Sequence, residues 1–339
     1  MAAAATTLRA RSLAAVAPPA MLLMVVLMCT AGSSAAAAAG PLLDVGFYSK
    51  TCPAAEDIVR NETEAAIKES PDLAAALLRL HYHDCFVQGC DASVLLDSTP
   101  TNTAEKDATP NGSLRGFDVV ARVKAALEAA CPATVSCADI LALMARDAVV
   151  LAQGPTWRVA LGRRDGRTSS AGSCGELPPL HGDIGLMAEA FAAKGLDVKD
   201  LVVLSGAHTL GKARCPSYAD RLYPSADPAL DARYADRLRM RCAAGSSSSS
   251  NSSSELDPGS CVTFDTSYYR HVARRRGLLR SDASLLDNRF TRAYVLQAAS
   301  GRYDGHFFHD FAVSMAKMAA IAVLTGEQGE IRRKCNVAN

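Results

Sequence analysis

Three observations predict a mainly α-helical protein. Apolar residues recur at three- and four-residue steps along most of the chain, strand signals are scarce, and no internal repeat points to a stacked array. Pro53, followed by Ala54, Ala55, Glu56 and Asp57, marks a helix start, because proline at the first helical position lacks an N–H that would be unbonded there anyway. Ile58, Val59, Ala66 and Ile67 then share one face. A second helix is expected from Leu73 to Cys85. Phe117, Val120, Val123 and Leu127 outline a third, and Ile140, Leu141, Met144, Ala148 and Leu151 a fourth. Further helical patterns cover 184–195, 198–206, 265–276 and 308–322. Residues 243–254, Ala-Ala-Gly and then serines broken only by Asn251, are low in complexity and predict a mobile surface loop inserted within the domain.

The first 39 residues stand apart. Arg9 and Arg11 precede the apolar run 21–28, and an alanine-rich stretch ends near Ala39, the layout of a signal peptide cleaved around Ala39 or Gly40. The run falls short of the ~20 apolar residues of a membrane span, and no later segment reaches that length. Cleavage would remove two arginines and no acid, so 36 basic and 35 acidic residues become 34 and 35. A near-neutral chain implies no nucleic-acid or membrane partner. Residues 40–339 are expected to form a soluble, secreted domain.

The densest chemistry lies in Arg79-Leu80-His81-Tyr82-His83-Asp84-Cys85-Phe86-Val87-Gln88-Gly89-Cys90-Asp91-Ala92-Ser93. On a helix, Arg79 and His83 are four apart and project side by side. A neutral imidazole can carry a proton between the two oxygens of hydrogen peroxide, while a guanidinium stabilises the charge that develops as the O–O bond breaks. The rival reading takes His81, His83, Cys85 and Cys90 as a zinc tetrad, which an oxidising compartment disfavours. Phe308-His309-Asp310 repeats part of the motif, but Gly305 and Phe311 stand where the arginine and cysteine would be, so it reads as a packed helix.

This segment closely resembles the distal haem segment of the secreted plant haem peroxidases (class III). The resemblance continues through AEKDATPN at 104–111, SCADILALMARDAV at 136–149, LSGAHTLG at 204–211 and residues 310–335. It implies a single haem-peroxidase domain, with haem b between distal and proximal helical halves, that reduces hydrogen peroxide and oxidises small phenolic donors by one-electron steps. Arg79, His83 and Asn111 would be catalytic, with Glu105 supporting Asn111. His208 would ligate the iron, its second nitrogen facing Asp282. Pro178 would touch aromatic donors at the haem edge. One calcium ion would take Asp84, Val87, Gly89, Asp91 and Ser93, and a second Thr209, Asp257, Ser260, Thr263 and Asp265. The implied setting is the extracellular space or cell wall, as a monomer. The alternative from another class is a secreted haem-binding or wall-associated structural protein that has lost turnover.

Eleven cysteines become ten once Cys29 leaves with the signal, an even count that suits a disulfide framework. The resemblance implies Cys52–Cys131, Cys85–Cys90, Cys137–Cys335 and Cys215–Cys242. Cys174 and Cys261 have no family counterpart, and two free thiols sit poorly in an oxidising compartment, so a fifth bond between them is the expectation. Arg146, Asp139, Arg163, Arg164 and Asp165 read as one buried ion-pair group. Departures from the family pattern include Tyr82 for phenylalanine, Asp72, Ala76 and Leu114 at positions that commonly hold a haem propionate, and Leu256 for an aromatic. Arg214 is a candidate to substitute by charge at the propionate. Of the sequons at Asn61, Asn111 and Asn251, Asn251 is the expected glycan carrier, and Asn111 is expected to stay bare.

Overall fold

A computed structural model describes residues 43–244 and 252–339. Four helices build the first half: α1 (Ala55–Glu69), α2 (Leu73–Phe86), α3 (Phe117–Ala130) and α4 (Cys137–Leu151). Helix α4 is apolar nearly all round, which suits only a central position, and it packs against α1, α2 and α3. Its start is fixed by Ser136, whose hydroxyl accepts the Asp139 amide.

The second half holds α5 (Ile184–Ala193), α6 (Val198–Ser205), α7 (Ala232–Arg241), α8 (Ser267–Ala273), α9 (Arg280–Ser284), α10 (Arg289–Ala298) and α11 (Asp304–Met318). Asp197 and Asp200 form a reciprocal capping box at the start of α6. Helix α6 packs on α5, α10 and α11, and one apolar core runs through both halves, from Val59 and Leu141 to Val203 and Phe311. A smaller core gathers Tyr218, Leu222, Tyr234, Leu238 and Leu278 around the 215–242 disulfide. The eight expected helices are all present, and α7, α9 and α10 are additions.

The chain end is stapled to its middle. Cys137 bonds Cys335, and the buried Arg332 donates to the carbonyls of Ala92, Gly166 and Cys335. Buried Arg163 pairs with Asp139 at 2.8 Å and donates to Ala319 O. The expected five-residue ion-pair group therefore divides. Asp139 and Arg163 form the buried pair, Asp165 instead accepts the backbone amides of Ala138 and Arg332, Arg164 donates to Gln328 O, and Arg146 pairs elsewhere with Asp147 and Glu56. Helix α4 puts seven residues, about two turns, between Asp139 and Arg146, so the same face at that distance meets different neighbours.

The serine-rich stretch also needs correction. Ser253–Glu255 is strand β2, paired antiparallel with β1 (Lys212–Arg214), and buried Ser254 hydrogen-bonds Tyr218 at 2.9 Å. Edge pairing with β1 supplies the order that composition does not reveal. Residues 245–251, Asn251 included, and the signal segment lie outside the described residues. No helix among the described residues is long and apolar enough to cross a membrane.

Candidate active site

Helix α2 brings Arg79 and His83 together as the four-residue spacing requires: Arg79 Nε donates to His83 Nε2 at 3.0 Å. A guanidinium only donates, so Nε2 is the unprotonated nitrogen, and Nδ1–H donates to Asn111 Oδ1 at 2.7 Å. Burial, and next the neighbouring Arg79 charge, push the His83 pKa down to about 3, which keeps the imidazole neutral and able to accept a proton. Arg79 is itself held by Ser113 Oγ at 2.9 Å and Pro110 O at 3.1 Å. Burial lowers its pKa from the usual arginine value, and the charge of Arg214 lowers it further, so these two cations share a neighbourhood.

Asn111 is oriented from behind by backbone. Its Nδ2 donates to Glu105 O at 2.8 Å and reaches Cys174 Sγ at 3.4 Å. Glu105 thus supports Asn111 through its carbonyl. Its carboxyl instead accepts from Gln88 Nε2 at 2.6 Å, while burial raises its pKa to about 7. The Tyr82 ring stands edge-on to His83 at 5.3 Å and lies 4.6 Å from Phe86.

His208 sits in a 3₁₀ turn, Gly206–Thr209, that continues α6. The turn needs Gly206, because a Cβ there would lie 2.5 Å from Tyr269 Oη and 2.6 Å from the Phe307 ring. His208 Nδ1 donates to Asp282 Oδ1 at 2.7 Å, leaving Nε2 as its free nitrogen on a ring whose side chain is 33% exposed. Burial pushes the Asp282 carboxyl up, but the pull of the adjacent His208 and the hydrogen bonds from His208, Leu279 N and Tyr268 outweigh it and hold the group below its ordinary value. A histidine fixed in this way, with one open nitrogen, fits a haem iron.

The two expected calcium sites pass a chemical test of their own. Among the described residues, both carboxylate oxygens of Asp84 and the hydroxyl of Ser93 are buried without hydrogen-bond partners, a costly arrangement unless a cation satisfies it. Asp91 closes the same loop, its Oδ1 accepting from Ser93 N at 2.9 Å, and in the turn between, the carbonyls of Val87 and Gly89 accept the amides of Gly89 and Asp91. In the second cluster Thr209 Oγ1 lies 2.8 Å from Asp257 Oδ2, 3.4 Å from Thr263 O and 3.5 Å from Asp265 Oδ1, and Ser260 Oγ is 2.6 Å from Asp265 Oδ2. Among the described residues Asp257 Oδ1 is buried there without a hydrogen bond, with His271 Nε2 3.5 Å away. Both oxygen sets fit a hard cation.

Four disulfides join the pairs that the resemblance implies. The Cys85–Cys90 bond consumes both thiols of the zinc tetrad and removes that reading. The fifth bond does not form, and Cys174 and Cys261 are free. Cys174 packs with Val87 and Ala108 behind Asn111, whereas Cys261 lies beside the 257–265 cluster, its carbonyl bonded to Gly211 N. Pro178 is half-buried in the irregular stretch after a short 3₁₀ helix, 171–176. Asp72 is exposed and paired with Arg115, and Leu114 is buried, so neither residue offers a free donor. Phe308 to Asp310 lie within α11, as the packed-helix reading expects. Asn61 is exposed on α1 and Asn111 is buried. Ser113, Gln88 and Tyr268 escaped sequence reading; each acts through a partner far along the chain.

A mainly helical domain with an arginine–histidine pair on one helix and a carboxylate-backed histidine on a following turn defines a haem peroxidase. Comparison with known proteins agrees. The family model described as Peroxidase matches residues 59–301. The chain is 56% identical over 305 residues to Peroxidase 1 of Oryza sativa subsp. japonica, covering 88% of this chain and 93% of that protein. It is 52% identical over 302 residues to Peroxidase 27 of Arabidopsis thaliana (88% and 92% covered) and 49% identical over 304 residues to Peroxidase 56 of the same plant (88% and 91%). The chain belongs to the class III plant peroxidase family. It is a haem-dependent enzyme that reduces hydrogen peroxide to water while oxidising a donor, and the family binds haem and calcium.

Proposed function

We propose that Arg79, His83 and Asn111 carry the peroxide step and that His208, backed by Asp282, holds haem b. When bound, the haem would supply the iron that receives peroxide and would store the two oxidising equivalents taken from it until donors are oxidised. His83 Nε2 takes the proton from the near oxygen of peroxide and returns it to the far oxygen, which leaves as water. Arg79 stabilises the negative charge on that departing oxygen, and Ser113 and Pro110 O keep its guanidinium in place. Asn111 holds the Nδ1 proton, so His83 has one nitrogen with which to do this work.

The observation that carries the reading is the direction of the Arg79–His83–Asn111 chain, which leaves a neutral imidazole with its accepting nitrogen beside a cation. No feature of the site favours the alternative of lost turnover. Asp84, Asp91 and Ser93 with the carbonyls of Val87 and Gly89 would hold one calcium ion, and Thr209, Asp257, Ser260, Asp265 and the carbonyl of Thr263 the other. Small phenols are the donor class, met near Pro178, and each returns one electron. The mature chain, residues 40–339, acts as a secreted monomer in the extracellular space or wall. Rapid-scan spectra of the purified holoenzyme mixed with peroxide and then with a phenol test the whole assignment. Two one-electron returns per peroxide support it, and a haem spectrum that peroxide leaves unchanged sinks it.

A further inference from the structure

The Asp282 carboxylate carries one more hydrogen bond than a histidine partner requires. Its Oδ1 accepts from His208 Nδ1 at 2.7 Å and also from the Tyr268 hydroxyl at 2.9 Å, while Oδ2 accepts from Leu279 N at 2.8 Å. Asp282 and Tyr268 are both fully buried, so water does not dilute the competition for that oxygen. Tyr268 comes from α8, stands edge-on to the His208 ring at 5.9 Å, and has Asp282 as its one hydroxyl acceptor among the described residues. A carboxylate oxygen accepts, so the hydroxyl of Tyr268 is the donor in this pair.

We infer that Tyr268 is a positioning residue that sets how strongly Asp282 pulls on the His208 proton. The inference rests on His208 being the iron ligand. A hydrogen bond to a carboxylate withdraws charge from the oxygen that accepts it. With Tyr268 sharing Oδ1, that oxygen attracts the Nδ1 proton less, and the imidazole keeps more neutral and less imidazolate character. Electron donation from the ligand to iron is thereby moderated, one of the ways a protein tunes haem potential. A lone carboxylate would push the ferric form to greater stability; the tyrosine holds the iron at a less negative potential than His208 and Asp282 would give by themselves.

The test uses the haem-loaded enzyme and two spectroscopic readouts separate from turnover: the ferric–ferrous midpoint potential and the iron–histidine stretching band of the ferrous state. Tyr268→Phe removes the hydroxyl and keeps the ring. It is expected to move the potential to a more negative value and the stretching band to higher frequency, and Asp282→Asn is expected to move both the other way. Fluorotyrosine at position 268, a stronger donor of the same shape, should shift the potential positively, and it serves as the second variant if the phenylalanine form does not retain haem. A wild-type iron–histidine band that neither replacement at 268 moves overturns the inference and leaves the ligand assignment standing. Absence of such a band in the wild type removes the ligand assignment and the inference with it.

Discussion

Cys174 lies directly behind Asn111: the amide nitrogen that faces away from His83 is 3.4 Å from the sulfur and 2.8 Å from Glu105 O. Both amide hydrogens of Asn111 therefore have acceptors, which fixes its oxygen toward the imidazole. Burial, followed by the Glu105 charge, raises the thiol pKa to about 11, so the sulfur remains a neutral, unreactive thiol at physiological pH.

Cys174→Ala should leave the fold intact and slow the peroxide step about 2- to 10-fold, the worth of one hydrogen bond, while Cys174→Ser should restore most of the rate. Stopped-flow rates of the two variants give the comparison. Thiol titration of the unfolded mature protein should find two free groups. A count of zero would restore the Cys174–Cys261 bond.

Calcium stability should hinge on Asp84. With a hundredfold excess of calcium over its dissociation constant, each occupied site stabilises the fold by about 2.7 kcal/mol, and a chelator should remove that and lower the melting temperature. Asp84→Asn should be less stable than wild type in calcium, and that gap should close or reverse in chelator, since the buried carboxylate with no partner is then a burden only to the wild type. Parallel melting curves, unmoved by either treatment, would contradict calcium at Asp84.

Acid should act through the buried histidines. His83 and His81 are both pushed down to about 3, chiefly by burial, against an ordinary value of 6.5. Between those values the unfolded chain binds protons that the folded chain refuses, so both groups make stability fall as pH drops from about 6.5 toward 3. The rate of the peroxide step should instead stay flat from neutral pH down to about 4, because protonation disables His83 only near 3. An acid limb centred near 6.5 would mean that the histidine is solvated.

Much of this site was legible in sequence because its chemistry is local. Arg79 and His83 share a helix face, and the 204–211 and 104–111 segments carry their own motifs. What escaped depends on distant packing. Ser113 reaches Arg79 across 34 positions and Tyr268 meets Asp282 from a neighbouring helix, and neither relation has a spacing to recognise. Counting cysteines suggested a fifth bond, but parity says nothing of where Cys174 and Cys261 stand. Helix α7 is strongly charged and α9 only five residues long, so apolar periodicity was a weak guide to either. The serines at 253 and 254 have little strand propensity, and pairing with β1 supplies the order.

The most direct measurement of the central claim is the rate of reaction between peroxide and the ferric holoenzyme in His83→Leu, followed by rapid mixing beside the wild type. The account predicts a loss of at least about 100-fold with the iron–histidine band unchanged, the cost of removing the group that moves the proton. A rate near that of the wild type would contradict it and take His83 out of the mechanism.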